Sequence, residues 1–229
     1  MFEGTGRPAR TEEPLEEIAA RPRPLTDARL AAAVAQLAER DPGLAAIARR
    51  LGVPPMWSRD PGFGTLVHII LEQQVSIASA RAAYDRLRAV VDPLTPAGFL
   101  EVTDAELLAI GFSRQKARYV RCLATDIVRG ELDLDTLVAL DDAAAHDALV
   151  GRTGIGPWTA SIYLLMVLGR PDAWPAADIA LAAAIKDIRR LDRRPTTAEM
   201  LAIGEAWRPW RAVAARLLWH HYLNPLPRG

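Results

Sequence analysis

The chain has 229 residues, half of them hydrophobic and 24% charged, which excludes a disordered polymer and suits one domain or two small lobes sharing a core. Its 28 basic and 28 acidic side chains cancel, so the total charge does not mark a nucleic-acid binder. A single cysteine, Cys122, excludes a disulfide framework and any four-thiolate zinc or iron–sulfur site.

Residues 1–24, rich in Pro, Arg and Glu, lack a sustained apolar period and read as a flexible or loosely docked tail ahead of a core over 25–229. From Thr26 the pattern is helical almost throughout. "TDARLAAAVAQLAER" aligns Leu30, Val34 and Leu37 on one stripe and is expected to stop at Asp41-Pro42-Gly43. "FGTLVHIILEQQ" and "SIASARAAYDRLRAVV" are two helices split near Val75-Ser76, with Ser76 a candidate N-cap. "TDAELLAIG" opens on a capping box, Thr103 with Glu106, and ends at Gly111. "SRQKARYVRCLATDIVRG" runs from a Ser113 cap to Gly130, and the short "DDAAAHDALVG" ends at Gly151. "PWTASIYLLMVLG" carries Pro157 in its first turn, where a missing N–H costs nothing. "DIALAAAIKDIRRL" starts on Asp178, "TTAEMLAIGEAW" repeats the capping box at Thr196 and Glu199, and "PWRAVAARLLWHHY" closes the core. No strand pattern and no repeat appear, so the expected class is all-α.

Charge is uneven along these helices. Arg114, Lys116, Arg118, Arg121 and Arg129 face only Asp126 within residues 111–130, and a second basic stretch covers 186–216. Residues 131–147 are acidic instead. A basic face backed by an acidic one and arginines merely solvating helix surfaces fit this distribution equally. The apolar run "ASIYLLMVLG" is too short to cross a bilayer, and "MFEGTGRPAR" has no signal-peptide core, so a cytoplasmic location is expected.

Chemistry concentrates at "GRTGIGPWTASIYLLMVLG", residues 151–169. Gly154 and Gly156 allow a tight corner between two helices, and bare backbone at such a corner lets a phosphate approach the amides. A purely steric corner explains G-x-G alone at least as well. The longer string "TGIGPWTA" resembles the helix-hairpin-helix (HhH-GPD) DNA glycosylase superfamily. Its second signature, a Gly/Pro-rich loop ending in aspartate, is matched by "GRPDAWPAADIAL", with Asp178 last in the loop. "LVHIILEQQVSIASARA", "GFSRQKARYVRCLA" and "WRPWRAVAARLLW" resemble the alkylpurine (3-methyladenine, AlkA-like) branch, so the resemblance covers roughly residue 60 to the end.

That resemblance implies two helical lobes with a cleft between them, the hairpin over 142–169 and the loop over 169–178. It implies a monofunctional glycosylase of base excision repair that flips alkylated bases out of double-stranded DNA, releases them and leaves an abasic site. Asp178 matches the catalytic aspartate; as a bare residue it is an N-cap, and the two roles are compatible. Bifunctional members carry lysine where this chain has Trp158, so no Schiff base and no lyase step are expected. Trp158 and Trp219 match base-pocket positions, where indole faces suit a cationic base. Ile162 replaces a pocket tyrosine of some relatives, and Tyr163 and Trp174 are further pocket candidates.

Thr153, Gly154, Ile155 and Gly156 are implied as strand contacts. Gln73, Gln74 and Val75 sit where the family inserts a plug, with Gln74 or Val75 the candidate. Arg208 and Arg211 are candidate phosphate contacts. The carbonyls of Val150, Arg152 and Ile155 are implied ligands of a structural Na+ or K+; no cofactor is expected for catalysis, and neither a membrane nor an obligate protein partner is expected. The location implied is bacterial cytoplasm, on the nucleoid. Competing readings are a hairpin module that only grips DNA, a glycosylase for a different lesion, and a bifunctional lyase.

Overall fold

A computed structural model describes residues 23–225, among which there are twelve α-helices, one short 3₁₀ helix (Thr136–Val138) and no strand. In chain order they are α1 (Asp27–Arg40), α2 (Pro42–Leu51), α3 (Phe63–Glu72), α4 (Ile77–Val90), α5 (Pro96–Glu101), α6 (Asp104–Ala109), α7 (Arg114–Val128), α8 (Asp142–Val150), α9 (Pro157–Met166), α10 (Ile179–Ile188), α11 (Thr197–Glu205) and α12 (Arg211–Leu223). Helices from the two ends of the chain pack together: α1 and α2 meet each other and α12, which also packs along α10. The middle of the chain forms the other group, α3 with α4 and α7, and α7 with α5 and α6. The second hairpin helix, α9, touches α8 and α3, and its Leu165 O accepts from Arg216 of α12 at 3.0 Å, which joins the groups. A continuous apolar core runs through both.

Predicted caps set most of the boundaries. Ser76 and Ser113 each accept a backbone N–H of the first turn they precede, and Thr103 and Thr196 form complete capping boxes with Glu106 and Glu199. The first helix stops at Asp41-Pro42-Gly43 as expected, with Arg40 its last residue, and the same residues also start α2, which was not anticipated: Asp41 Oδ1 accepts from Gly43 N and Leu44 N at 2.9 and 3.1 Å, with Pro42 in the first turn. Asp before Pro is both a stop for the preceding helix and a start for the next. Asp41 Oδ2 also accepts the Trp207 indole N–H at 2.8 Å. The tail over 1–24 lies outside the described residues except for Arg23 and Pro24, whose carbonyls accept from Arg29. Residues 226–229 lie outside them too.

The Gly/Pro-rich loop between α9 and α10 has no regular structure yet is tied down residue by residue. Gly169 O accepts from Leu25 N at 2.8 Å. The buried Arg170 guanidinium donates to the carbonyls of Val138 and Leu140 at 3.0 and 2.8 Å. Pro171 O accepts from Ala212 N at 3.0 Å, and the Asp172 carboxylate takes Arg211 Nε and Nη2 at 3.0 and 2.9 Å. Trp174 lies against Gly204 and donates its indole N–H to Met200 O at 2.9 Å. A segment with this many independent anchors delivers the residue at its end to one place.

No helix among the described residues is long and apolar enough to cross a membrane.

Candidate active site and nucleic-acid interface

The loop ends at Asp178, the N-cap of α10, whose Oδ1 accepts from Leu181 N at 2.9 Å. A cap fixes the backbone and one side-chain torsion of the residue that makes it. Two indoles complete the clasp. Trp158, in the first turn of α9, donates Nε1–H to Asp178 Oδ2 at 2.9 Å, and Trp219 of α12 donates to Oδ1 at 3.2 Å. Three donors from three helices therefore converge on one half-buried carboxylate at the positive end of α10. The predicted catalytic aspartate and paired tryptophans are brought together, and the capping role is real as well.

Of the other pocket candidates, three are corrected. Ile162 and Tyr163 point into the core, at 2% and 0% exposure. Helix α9 is apolar nearly all round, so adjacent positions on it are both buried and the sequence does not tell which face lines a cleft. Trp174 is the loop anchor described above and packs perpendicular to Trp207 rather than beside Asp178.

The hairpin explains its two glycines differently. Gly154 has φ +87°, a left-handed conformation, and a Cβ there would fall 2.3 Å from Cγ of Tyr119. The protein itself requires that glycine. Gly156 has an ordinary φ of −89°, is exposed, and an added Cβ would meet nothing within 4 Å. Nothing inside the fold requires that one. Thr153 is exposed beside it, whereas Ile155 is buried and anchors the turn.

Across from the hairpin, the corner between α3 and α4 is locked. Gln73 donates Nε2–H to Gly154 O at 3.0 Å and to Thr159 Oγ1 at 2.9 Å, and Lys116 Nζ donates to Leu71 O at 2.7 Å. Gln73 is thus a strut, a correction to its reading as a strand contact. Gln74, with φ +56°, and Val75 stand exposed at the apex. Sequence marks Lys116 only as one of the basic residues over 111–130 and does not single out Tyr119. Trp57 was missed as well. It stands in "GVPPMWSRDPGFG", and an aromatic residue inside a Pro/Gly-rich loop was the available signal. Its ring lies perpendicular to Trp219 at 6.4 Å.

Arg208 and Arg211 are corrected too. Arg211 binds Asp172 and reaches Glu205 at 3.2 Å, and Arg208 binds Glu205 at 2.7 Å and Asp172 at 2.5 Å. Their charges hold the Gly/Pro loop instead of standing free for phosphate. Arg193 is likewise paired, with Glu199 at 2.7 Å, and Arg189 with Asp41 at 3.5 Å. Much of the basic stretch over 186–216 is thereby neutralised by its own carboxylates. Beside the hairpin the exposed cations come from α7 instead: Arg118 lies over the Tyr119 ring at 5.7 Å, with Arg114 one turn before it.

No cluster of three or more His, Cys, Asp or Glu side chains that could hold a metal ion is present among the described residues. The carbonyls suggested for a cation sit where α8 ends and the chain turns. Arg152 O accepts Ile155 N–H at 3.1 Å.

Residues 67–209 match the HhH-GPD superfamily base excision DNA repair protein family. A DNA-3-methyladenine glycosylase of Bacillus subtilis is 29% identical over 202 residues, covering 80% of this chain and 65% of the relative, so the chain spans just under two thirds of that protein's length. The crystal structure of a DNA-3-methyladenine glycosidase from Bacillus halodurans superposes with a TM-score of 0.71 at 28% identity, covering 83% of this chain and 88% of that one. A Schizosaccharomyces pombe 3-methyladenine DNA glycosylase in complex with abasic DNA shares the fold, with a TM-score of 0.77 at 24% identity over 82% of this chain and 95% of the other. With the hairpin, the anchored loop and its terminal aspartate in one all-helical frame, the chain belongs to the HhH-GPD superfamily of base excision DNA repair proteins, on the branch of the 3-methyladenine DNA glycosylases.

Proposed function

We propose that this protein is a monofunctional DNA glycosylase that extrudes alkylated bases of the 3-methyladenine and 7-methylguanine type from duplex DNA and releases them by hydrolysis. One observation carries the reading: the Asp178 carboxylate is clasped by two indole N–H groups and a helix N-terminus. A carboxylate that only capped a helix would not need two tryptophans aimed at it.

Cleaving the bond between base and deoxyribose develops positive charge on the sugar. Asp178, fixed in place beforehand, stabilises that charge as the base departs with the bonding electrons. Water then adds to the sugar carbon and gives up a proton, leaving an abasic site. A base alkylated on a ring nitrogen is already cationic and leaves without an added acid. The chain has two lysines, Lys116 and Lys186. Lys116 is held on Leu71 O and Lys186 lies on the exposed side of α10, so neither stands where a Schiff base would form. Trp158 occupies that place.

The hairpin grips the strand through backbone donors near Gly156, and Gln74 or Val75 fills the gap left by the extruded nucleotide. A Na+ or K+ ion held by the carbonyls of Val150, Arg152 and Ile155 would add positive charge beside the gripped phosphate. No organic cofactor enters the reaction.

The test is a panel of duplexes, each with one modified base, assayed for free base and for strand cleavage after mild alkali. Release of 7-methylguanine or 3-methyladenine with intact strands until alkali is expected. No base released from any duplex, despite binding, would leave only a DNA-gripping module. Gly156→Leu gives a second check. With open space around the Cβ, stability should change by no more than about 0.5 kcal/mol. Duplex affinity, followed by fluorescence anisotropy, should fall about tenfold, the worth of one backbone hydrogen bond to phosphate.

A further inference from the structure

We propose that Arg59 and Glu72 are positioning residues: their two-bonded ion pair holds the α3–α4 corner in register with the Asp178 carboxylate, so that extrusion and release act on one nucleotide. The inference rests on the glycosylase reading above. Arg59 lies ahead of the segment that the family matches, residues 67–209.

Glu72 is the last residue of α3 and stands directly before Gln73 and the exposed apex, Gln74 and Val75. The Arg59 guanidinium donates to both of its carboxylate oxygens, at 3.0 and 2.8 Å. Arg59 belongs to the loop between α2 and α3, and that loop is fastened on the Asp178 side. Arg59 N donates to Met166 O, at the end of α9, at 2.9 Å. Met56 O accepts from Arg216 Nε of α12 at 2.8 Å. Those two helices carry Trp158 and Trp219, the indoles that hold Asp178.

The corner has a second tether in Gln73, which reaches Thr159 in the first turn of α9. Alone, either tether would leave the corner free to pivot. One meets α9 near its start and the other at its end, about 10 Å apart along the helix, so together they set orientation as well as distance. Gln74 depends on that restraint. Its φ of +56° is a left-handed conformation that persists only where surrounding bonds impose it.

Strength alone does not account for an ion pair here. The Glu72 side chain is 11% exposed, and desolvating two charges offsets most of their attraction. Apolar side chains of the same volume would hold as firmly. What two parallel N–H···O bonds add is direction. His68, one turn before Glu72, leaves the carboxylate to Arg59. Its Nε2 is 3.7 Å from Glu72 Oε1, and its ring lies flat on Tyr84 of α4, with centroids 4.5 Å apart. Burial, with Arg59 and Arg81 nearby, keeps the imidazole below its ordinary pKa against the pull of Glu72 and Asp85. A neutral ring does not compete for the carboxylate.

The test compares the full-length wild type with Glu72→Gln and Arg59→Lys. Single-turnover release of 7-methylguanine is measured from two duplexes, one in which the lesion faces cytosine and one in which it faces thymine. A mispaired nucleotide costs less to extrude, so it depends less on the corner. Both variants are expected to slow release opposite cytosine by about ten- to a hundredfold, the scale of a group misplaced by on the order of 1 Å. Opposite thymine the loss should be only a few-fold. Lysine keeps the charge but loses the fork. Wild-type release by Arg59→Lys or by Glu72→Gln therefore overturns the proposal. So does equal slowing opposite both bases, with or without a lower melting temperature, which marks the pair as a support of the fold alone. A wild type that releases no base from either duplex defeats the glycosylase reading itself, an outcome distinct from these.

Discussion

Asp178→Asn is expected to lower base release about a thousandfold, the scale of removing a charge placed to meet one that develops in the transition state. Binding to an abasic-site duplex should persist within a few-fold, because neither the turn over residues 153–156 nor the α3–α4 corner relies on a bond to this side chain. The fold should survive as well. Asparagine caps helices as well as aspartate does, so the bond to Leu181 N is retained. What asparagine cannot do is accept from both indoles and the helix at once. Its amide nitrogen is a donor, and one of Trp158 and Trp219 would face it with another donor, at about 1–3 kcal/mol for an indole N–H left without an acceptor. The informative result is therefore a melting temperature lowered modestly, affinity kept, and turnover lost. Turnover within tenfold of wild type would remove Asp178 from the reaction.

Gly154→Ala is expected to be the most damaging single methyl in the hairpin. Two independent penalties add. The left-handed backbone disfavours any Cβ by about 1–2 kcal/mol. The new carbon would also overlap the Tyr119 ring root, which forces a shift costing about 1–3 kcal/mol. A loss of roughly 2–5 kcal/mol by chemical denaturation follows from the sum. Affinity for duplex DNA should fall with it, because Gly154 O is also the acceptor that ties the turn to Gln73. Because the Tyr119 Cβ would itself lie 2.4 Å from the new carbon, the background that separates the penalties is Tyr119→Gly: there, Gly154→Ala should cost only the backbone part. A Gly154→Ala cost as large in the Tyr119→Gly background as in the wild type would show that Tyr119 is not the obstacle. The contrast with Gly156→Leu is the diagnostic feature of this hairpin. One glycine serves the fold and the other faces outward.

The arginines show where one-dimensional reading stops. Arg208 and Arg211 look like phosphate contacts because arginine near a DNA-binding motif has an obvious electrostatic use. Glu205 is a local partner, three and six positions away, but Asp172 is 36 and 39 positions away in the chain, and only packing of the loop against the start of α12 brings it within bonding distance. Buried apolar helices hide their orientation for a related reason. On α9, Trp158 turns toward Asp178 while Ile162 and Tyr163 turn into the core, yet the sequence marks all three as equally hydrophobic.

By itself the sequence determined everything governed by neighbours along the chain: the helical class, most caps and boundaries, the tight Gly-Ile-Gly turn, and an aspartate fixed at the start of α10. These follow from backbone sterics and from hydrogen bonds made within a few residues. Only the tertiary structure decided which tryptophans hold Asp178, that Trp57 packs against one of them, that Gln73 braces the hairpin and that Arg211 secures the loop. Those contacts link residues far apart in the chain, and they exist only once the core has set the helices against each other.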